Sequence, residues 1–229
     1  MAGDGAEDWR EVWHAQWSEG RIDFHLPAVC PDLERWYRRL VPDEQPRTVL
    51  VPLCGKSVDM VWLYQKGHTV IGIEGIEKAI VDFFTENNID FSKIAVGSYT
   101  LYQTPDGRLR VYHADICRLD PETVGAVDAI WDRASYVAVR REDRPRYAAF
   151  LRAVMAPGCR YLLSSVEYEP NPFSGTPQSV TPADFRPEFE PVADIECLAV
   201  RDRAPDAIRP LAAWDVRGLQ ENMYLMTRK

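Results

Sequence analysis

The chain has 229 residues, 46% hydrophobic and 27% charged, which suits one α/β domain with a full core. Its formal charge of -8 disfavours nucleic acid as a partner, because phosphate binding selects clustered Lys and Arg, and the pairs Arg38-Arg39 and Arg140-Arg141 read as solvated helix faces. No apolar run reaches the roughly 18 residues of a membrane span, and the acidic start Met1–Asp8 lacks the apolar centre of a secretory signal.

Residues 1–8 read as a disordered tail, followed by a single domain over 9–229. Trp9, Trp13 and Trp17 recur every fourth residue, a helical aromatic stripe that either packs on the domain surface or forms a lid over a ligand. Gly20 ends that helix, an irregular segment carries Phe24 and His25, and Asp32–Leu40 is predicted as a second helix. The stretch 9–45 thus stands ahead of the sheet. Val49 to Glu74 reads as strand, tight turn at Gly55, helix, strand, with an acid 19 residues after the glycine. A βαβ unit of that spacing is built to hold a ribose at the carboxyl edge of a parallel sheet.

Ile76–Asn88 is predicted as a helix, and Thr104-Pro105-Asp106-Gly107 as the turn of a hairpin whose second arm is the third strand, ending at Ala114-Asp115-Ile116. Ala126–Trp131 is a strand with Asp132-Arg133 at its end. Arg144–Met155 is a helix stopped by Ala156-Pro157-Gly158, and Tyr161–Val166 a fifth strand. The proline-rich 168–187 reads as a long loop next to the carboxyl end of a strand, a lid in character. Ile195–Val200 and Tyr224–Thr227 alternate like an antiparallel pair at the sheet edge.

Three cofactors compete for the glycine turn. Gly55-Lys56-Ser57 looks like the end of a P-loop, but the first glycine of that motif would fall at Leu50. A dinucleotide site needs G-x-G-x-x-G, and only Gly55 is present. S-adenosylmethionine has a ribose and no phosphate, so it relaxes the glycine requirement. It suits the series Gly55, Glu74, Asp115, Asp132 on successive strands, with Glu74 for the ribose hydroxyls and Asp115 for the adenine amine. His14, His25, His68 and His113 lack metal-ligand spacing and read as surface or structural histidines, so no metal is expected. The five cysteines are odd in number and form no C-x-x-C, which points to reduced thiols in a cytoplasmic protein. Cys54 reads as a small packing residue.

Several strings in order resemble one family: Trp13-x-x-x-Trp17 with Phe24-His25, Pro52-Leu53-Cys54-Gly55-Lys56, Gly67–Glu74, Phe83-Phe84-Thr85-Glu86-Asn87 and Ile130-Trp131-Asp132-Arg133. The chain resembles the thiopurine S-methyltransferases. That resemblance implies a Rossmann-like class I methyltransferase: a seven-stranded, mostly parallel sheet with an antiparallel edge strand, helices on both faces and an N-terminal helical cap. It implies that Trp13, Trp17, Leu53, Gly55, Glu74, Asp115, Ile116 and Arg133 line an S-adenosylmethionine site. Phe24, Arg133 and Arg209 would face the acceptor, with Arg133 supporting its thiolate; the competing role for Arg133 is a salt bridge to Asp132. The expected activity is methyl transfer to an aromatic or heterocyclic thiol, by a monomer with a small-molecule substrate and neither nucleic acid nor membrane as partner. Methylation of small nucleophiles (chalcogen anions, hydrosulfide, halide) and cofactor binding without turnover are the alternatives.

Overall fold

The structure is a computed structural model that describes residues 9–169, 176–204, 207–208, 211 and 216–229. The tail 1–8, Arg209 and part of the proline-rich segment lie outside the described residues. Helices α1 (Trp9–Ser18) and α2 (Pro31–Leu40) precede β1 (Thr48–Pro52), α3 (Val58–Gln65), β2 (Thr69–Glu74) and α4 (Glu77–Glu86). Strands β3 (Ser92–Val96), β4 (Tyr99–Gln103) and β5 (Leu109–His113) come next, then α5 (Pro121–Val124), β6 (Val127–Arg133) and α6 (Arg144–Val154). The chain closes with β7 (Met155–Glu169), α7 (Pro182–Phe189), β8 (Ala193–Asp202) and β9 (Arg217–Arg228).

The strands form one sheet in the order β3-β4-β5-β2-β1-β6-β7-β9-β8. Its centre, β5-β2-β1-β6-β7, is parallel. Strands buried on both faces need continuous apolar runs, which is what Val49–Val51 and Val70–Ile73 supply. Both margins are antiparallel: β3-β4-β5 on one side and β7-β9-β8 on the other. Among the described residues the sheet therefore has nine strands rather than seven, with antiparallel pairing at both edges rather than one. The added strand β3 is exposed along its whole length, so no burial pattern marks it in the sequence. The Thr104–Gly107 turn joins β4 and β5, closed by Gly107 N–H donating to the Thr104 carbonyl at 2.9 Å. The β8–β9 pair stands where Ile195–Val200 and Tyr224–Thr227 were expected.

Two cores flank the sheet. Leu33, Tyr37, Met60, Leu63, Ile80, Phe83 and Phe84 from α2, α3 and α4 cover one face. Tyr147, Leu151, Phe185 and Phe189 from α6 and α7 cover the other. Alternate residues of β1 serve each: Val49 and Val51 face the first, Leu50 the second.

The structure corrects two expectations in the second half of the chain. The strand after α6 begins at once at Met155, and Ala156–Cys159 forms an irregularity in the β6–β7 register instead of a separate break. The proline-rich stretch is not a loop throughout, because 182–189 is helical. Pro182 falls in the first turn, where a missing N–H is tolerated. Thr181 and Asp184 form a reciprocal capping box, and Phe185 and Phe189 bury one face. Arg144, itself buried, donates to Asp184 Oδ1 at 2.9 Å and to the Ser179 carbonyl at 3.3 Å, which ties the segment down.

Candidate active site

The site is built where β1 and β2 end side by side. After Pro52 the chain turns through Leu53 and Gly55, both left-handed, with φ of 41° and 50°. Cys54 N–H donates to the Ile73 carbonyl at 3.1 Å, fastening the turn to β2. Glu74 bridges the turn and the start of α4: Oε2 accepts from Gly55 N–H at 2.8 Å and Oε1 from Ile76 N–H at 2.9 Å. Burial pushes its carboxyl above the ordinary value, and the backbone donors of Gly55, Ile76 and Gly75 pull back against that rise. Each carboxylate oxygen keeps a lone pair beyond these bonds.

The cap closes against this turn. Trp17 is buried with Ile76 and Ala79, and Trp13, Ile22 and Phe24 pack around them. The Phe24 ring meets Trp13 edge-on at 5.7 Å and Trp17 at 6.2 Å. His25 lies over the glycine: a methyl group added to Gly55 would fall 2.4 Å from His25 Cε1 and 3.2 Å from Trp17. Only glycine meets both this approach and the left-handed backbone. Trp13 and Trp17 of the stripe are therefore packed, and Trp17 and His25 lie beside the glycine turn.

Arg133 stands at the end of β6, and its Nη1 donates to the Phe24 carbonyl at 2.6 Å. Ala134 after it is left-handed, with φ of 67°. Asp132 does not belong to the site, contrary to its place in the predicted series of acids. Its carboxylate is fully buried among Tyr147 O–H at 2.6 Å, Tyr161 O–H at 2.8 Å and Tyr136 N–H at 3.1 Å. It is those three donors, and not Arg133, that meet its charge.

Asp115 lies just past β5, whose end is joined to β2 by Ala114 N–H donating to the Glu74 carbonyl at 3.0 Å. Its Oδ1 accepts from Cys117 N–H at 3.0 Å, and its Oδ2 lies 3.4 Å from Arg118 Nε. Ile116 is buried in the core, and Leu53 packs on the same cluster. The structure thus brings Trp13, Trp17, Phe24, Gly55, Glu74 and Arg133 together, with Asp115 and Ile116 at the neighbouring strand end. It adds His25, which the sequence offered only within the Phe24-His25 string and as a surface or structural histidine.

Burial, then the charges of Arg133 and Lys56, hold the His25 imidazole down to about 4, so it is neutral near pH 7. Lys56 reaches Glu86 at 2.7 Å. Burial and the nearby Glu74 hold the Cys54 thiol well above its ordinary value, which makes it a poor nucleophile. Among the described residues no three His, Cys, Asp or Glu side chains cluster as metal ligands.

A family profile described as thiopurine S-methyltransferase matches residues 9–229. The chain belongs to that family. Family members similar to it include a probable thiopurine S-methyltransferase of Danio rerio, 34% identical over 95% of this chain and 94% of that one. The thiopurine S-methyltransferase of Legionella pneumophila strain Paris is 39% identical over 83% and 85%. Solved structures share the fold at lower identity. A Burkholderia thailandensis 1,6-didemethyltoxoflavin-N1-methyltransferase with bound S-adenosylhomocysteine superposes with a TM-score of 0.63 at 16% identity, covering 96% of this chain and 87% of that one. A magnesium protoporphyrin IX methyltransferase from Synechocystis PCC 6803, with bound SAM, gives 0.62 at 13% identity over 99% and 100%. This thiopurine S-methyltransferase family member thus has the Rossmann-like class I methyltransferase architecture.

Proposed function

We propose that the chain is an S-adenosylmethionine-dependent methyltransferase acting on the sulfur of aromatic or heterocyclic thiols. The observation that carries this reading is Glu74, a buried carboxylate at the end of β2 that bridges the N–H groups of Gly55 and Ile76 and retains lone pairs for a ribose diol. The chain's residues fit the cofactor: the Glu74 carboxylate keeps acceptor capacity for a diol, and His25 Nε2, in the ring that fills the space beside Gly55, is a buried polar atom without a hydrogen-bond partner among the described residues.

The cofactor supplies an electrophilic methyl group on a sulfonium sulfur. The protein's part is to orient and to exclude water. Glu74 and Gly55 fix the ribose end, Trp13, Trp17 and Phe24 close the mouth, and Arg133 sets a fixed cation beside the acceptor. A cation there favours the thiolate form of the acceptor, and alignment of this kind contributes about 7–11 kcal/mol. All five cysteines are free thiols, which fits a reducing, cytoplasmic compartment, and no helix among the described residues is long and apolar enough to cross a membrane. We take the protein to work as a monomer on a small-molecule thiol. Arg209 is kept as an acceptor-side candidate on the family resemblance alone.

The test is a labelled-methyl assay over thiols, selenols and halides, paired with calorimetry of S-adenosylmethionine binding. Turnover of aromatic thiols supports the reading; turnover of halides or hydrosulfide alone, or binding without turnover, overturns it. Glu74→Ala removes a charge-assisted contact worth about 1.5–3 kcal/mol, so cofactor affinity is expected to fall roughly tenfold or more; unchanged calorimetric affinity in a folded variant refutes the assignment. Arg133→Ala is expected to lower kcat more than cofactor affinity, and Arg133→Lys to recover only part of it, because a point charge lacks the planar fork. Equal kcat in all three proteins removes Arg133 from the chemistry.

A further inference from the structure

His25 is the one side chain at the mouth whose contacts do not explain its identity. Its ring packs against Trp17 at 5.2 Å and Phe24 at 4.7 Å, and lies on the α-carbon side of Gly55. A phenyl ring would meet the same packing. Yet its Nε2 is shut off from solvent with no hydrogen-bond partner among the described residues. A buried polar atom left so destabilises the protein, a penalty that a bound ligand can cancel. The surroundings say which kind of ligand. Arg133 and Lys56 both act on the imidazole as positive charges, Lys56 being paired with Glu86, while Glu74 is bonded to the amides of Gly55 and Ile76. With Lys56 paired to Glu86, the Arg133 guanidinium and the idle ring nitrogen are the groups at the glycine turn placed to meet negative charge.

We propose that His25 is a ligand-binding residue of this site, its Nε2–H donating to an anionic group of a bound ligand beside Arg133. The anion is either the carboxylate at the amino-acid end of the cofactor or the thiolate of the acceptor. The neutral state of the imidazole supports a donor role, since one ring nitrogen then carries a proton at pH 7 without adding a third buried cation. The proposal rests on the methyltransferase reading above and specifies how the site meets charge.

The experiment uses the full chain with His25→Phe, which keeps a ring over Gly55, and His25→Gln, which keeps an N–H donor at the reach of Nε2. Calorimetry measures S-adenosylhomocysteine binding, and a second arm measures a nitro-substituted thiophenol binding to the S-adenosylhomocysteine complex. The expected result is affinity lost roughly tenfold or more in His25→Phe, as for a charge-assisted bond, and largely recovered in His25→Gln. Loss in the first arm identifies the carboxylate, loss in the second the thiolate. If His25→Phe binds both probes as well as the parent or better, the ring is only packing and the proposal falls. Should His25→Phe fail to fold, the parent protein labelled with 15N-histidine decides: a His25 ring-nitrogen resonance that moves when either probe saturates supports the bond, and one that moves with neither overturns it. Failure of the parent chain to bind S-adenosylhomocysteine at all would instead defeat the methyltransferase reading.

Discussion

A chain that begins at Ile22 is expected to fold its sheet and to lose methyl transfer by at least roughly a hundredfold, the scale set by small misplacements of reacting groups. The helix α1 contributes to neither of the two cores that flank the sheet; its buried contact is the separate cluster of Trp17 with Ile76 and Ala79. Removing it therefore leaves the packing of α2, α3, α4, α6 and α7 in place. What goes is the aromatic wall over Gly55 and the support for Phe24, whose ring meets both Trp13 and Trp17. Burial of one large apolar side chain such as Trp17 stabilises by about 1.5–3 kcal/mol, enough to hold a cap and too little to decide the whole fold. Circular dichroism and the labelled-methyl assay on the same preparation check both halves. A truncated chain that binds S-adenosylmethionine and turns over like the parent shows that the cap has no part in the site.

Asp132→Ala is expected to destabilise the protein by about 3–5 kcal/mol, the scale for breaking a buried charged network, which for a chain of this size lowers Tm by roughly 6–20 °C. The carboxylate has no access to solvent and gathers Tyr147 O–H, Tyr161 O–H and Tyr136 N–H. Burial holds its carboxyl above the ordinary value, opposed chiefly by the Tyr147 bond and then by those of Tyr136 and Tyr161. Taking it away strands three donors in the core at once, and the two tyrosine hydroxyls are fixed by helix α6 and strand β7 where no water reaches them. Denaturant unfolding followed by tryptophan fluorescence gives the number. A midpoint shift equivalent to under about 1 kcal/mol would mean that the tyrosines find other partners. Any loss of activity in this variant is expected to be indirect, through the position of Arg133.

That contrast between neighbours shows what the sequence could and could not say. The βαβ unit was legible because spacing alone carries it: an apolar run, a glycine turn and an acid at a fixed distance place Gly55 and Glu74 together whatever surrounds them. Trp13 and Trp17 were legible from their helical period. Asp132 was misread because an acid at the end of a parallel strand was counted by position along the chain, while adjacent residues of a strand point to opposite faces. Trp131 packs with the α2–α4 core and Ile130 with the other, so Asp132 enters the latter. The helix α7 was hidden because its prolines read as breakers, although a first-turn proline with a capping box starts a helix. Strand β3 had no buried face to set a rhythm. His25 owes its position to a loop folding back over Gly55, a long-range event with no local signature.

The bond between Arg133 and residue 24 ends on a carbonyl oxygen, not on the phenylalanine ring. Every amino acid offers that oxygen. The bond itself is therefore indifferent to the side chain at position 24. Two holds meet at this one residue: its backbone is tied to β6 by a guanidinium, and its ring is packed among Trp13, Trp17 and His25. A substitution at position 24 would thus loosen the second hold and leave the first in place.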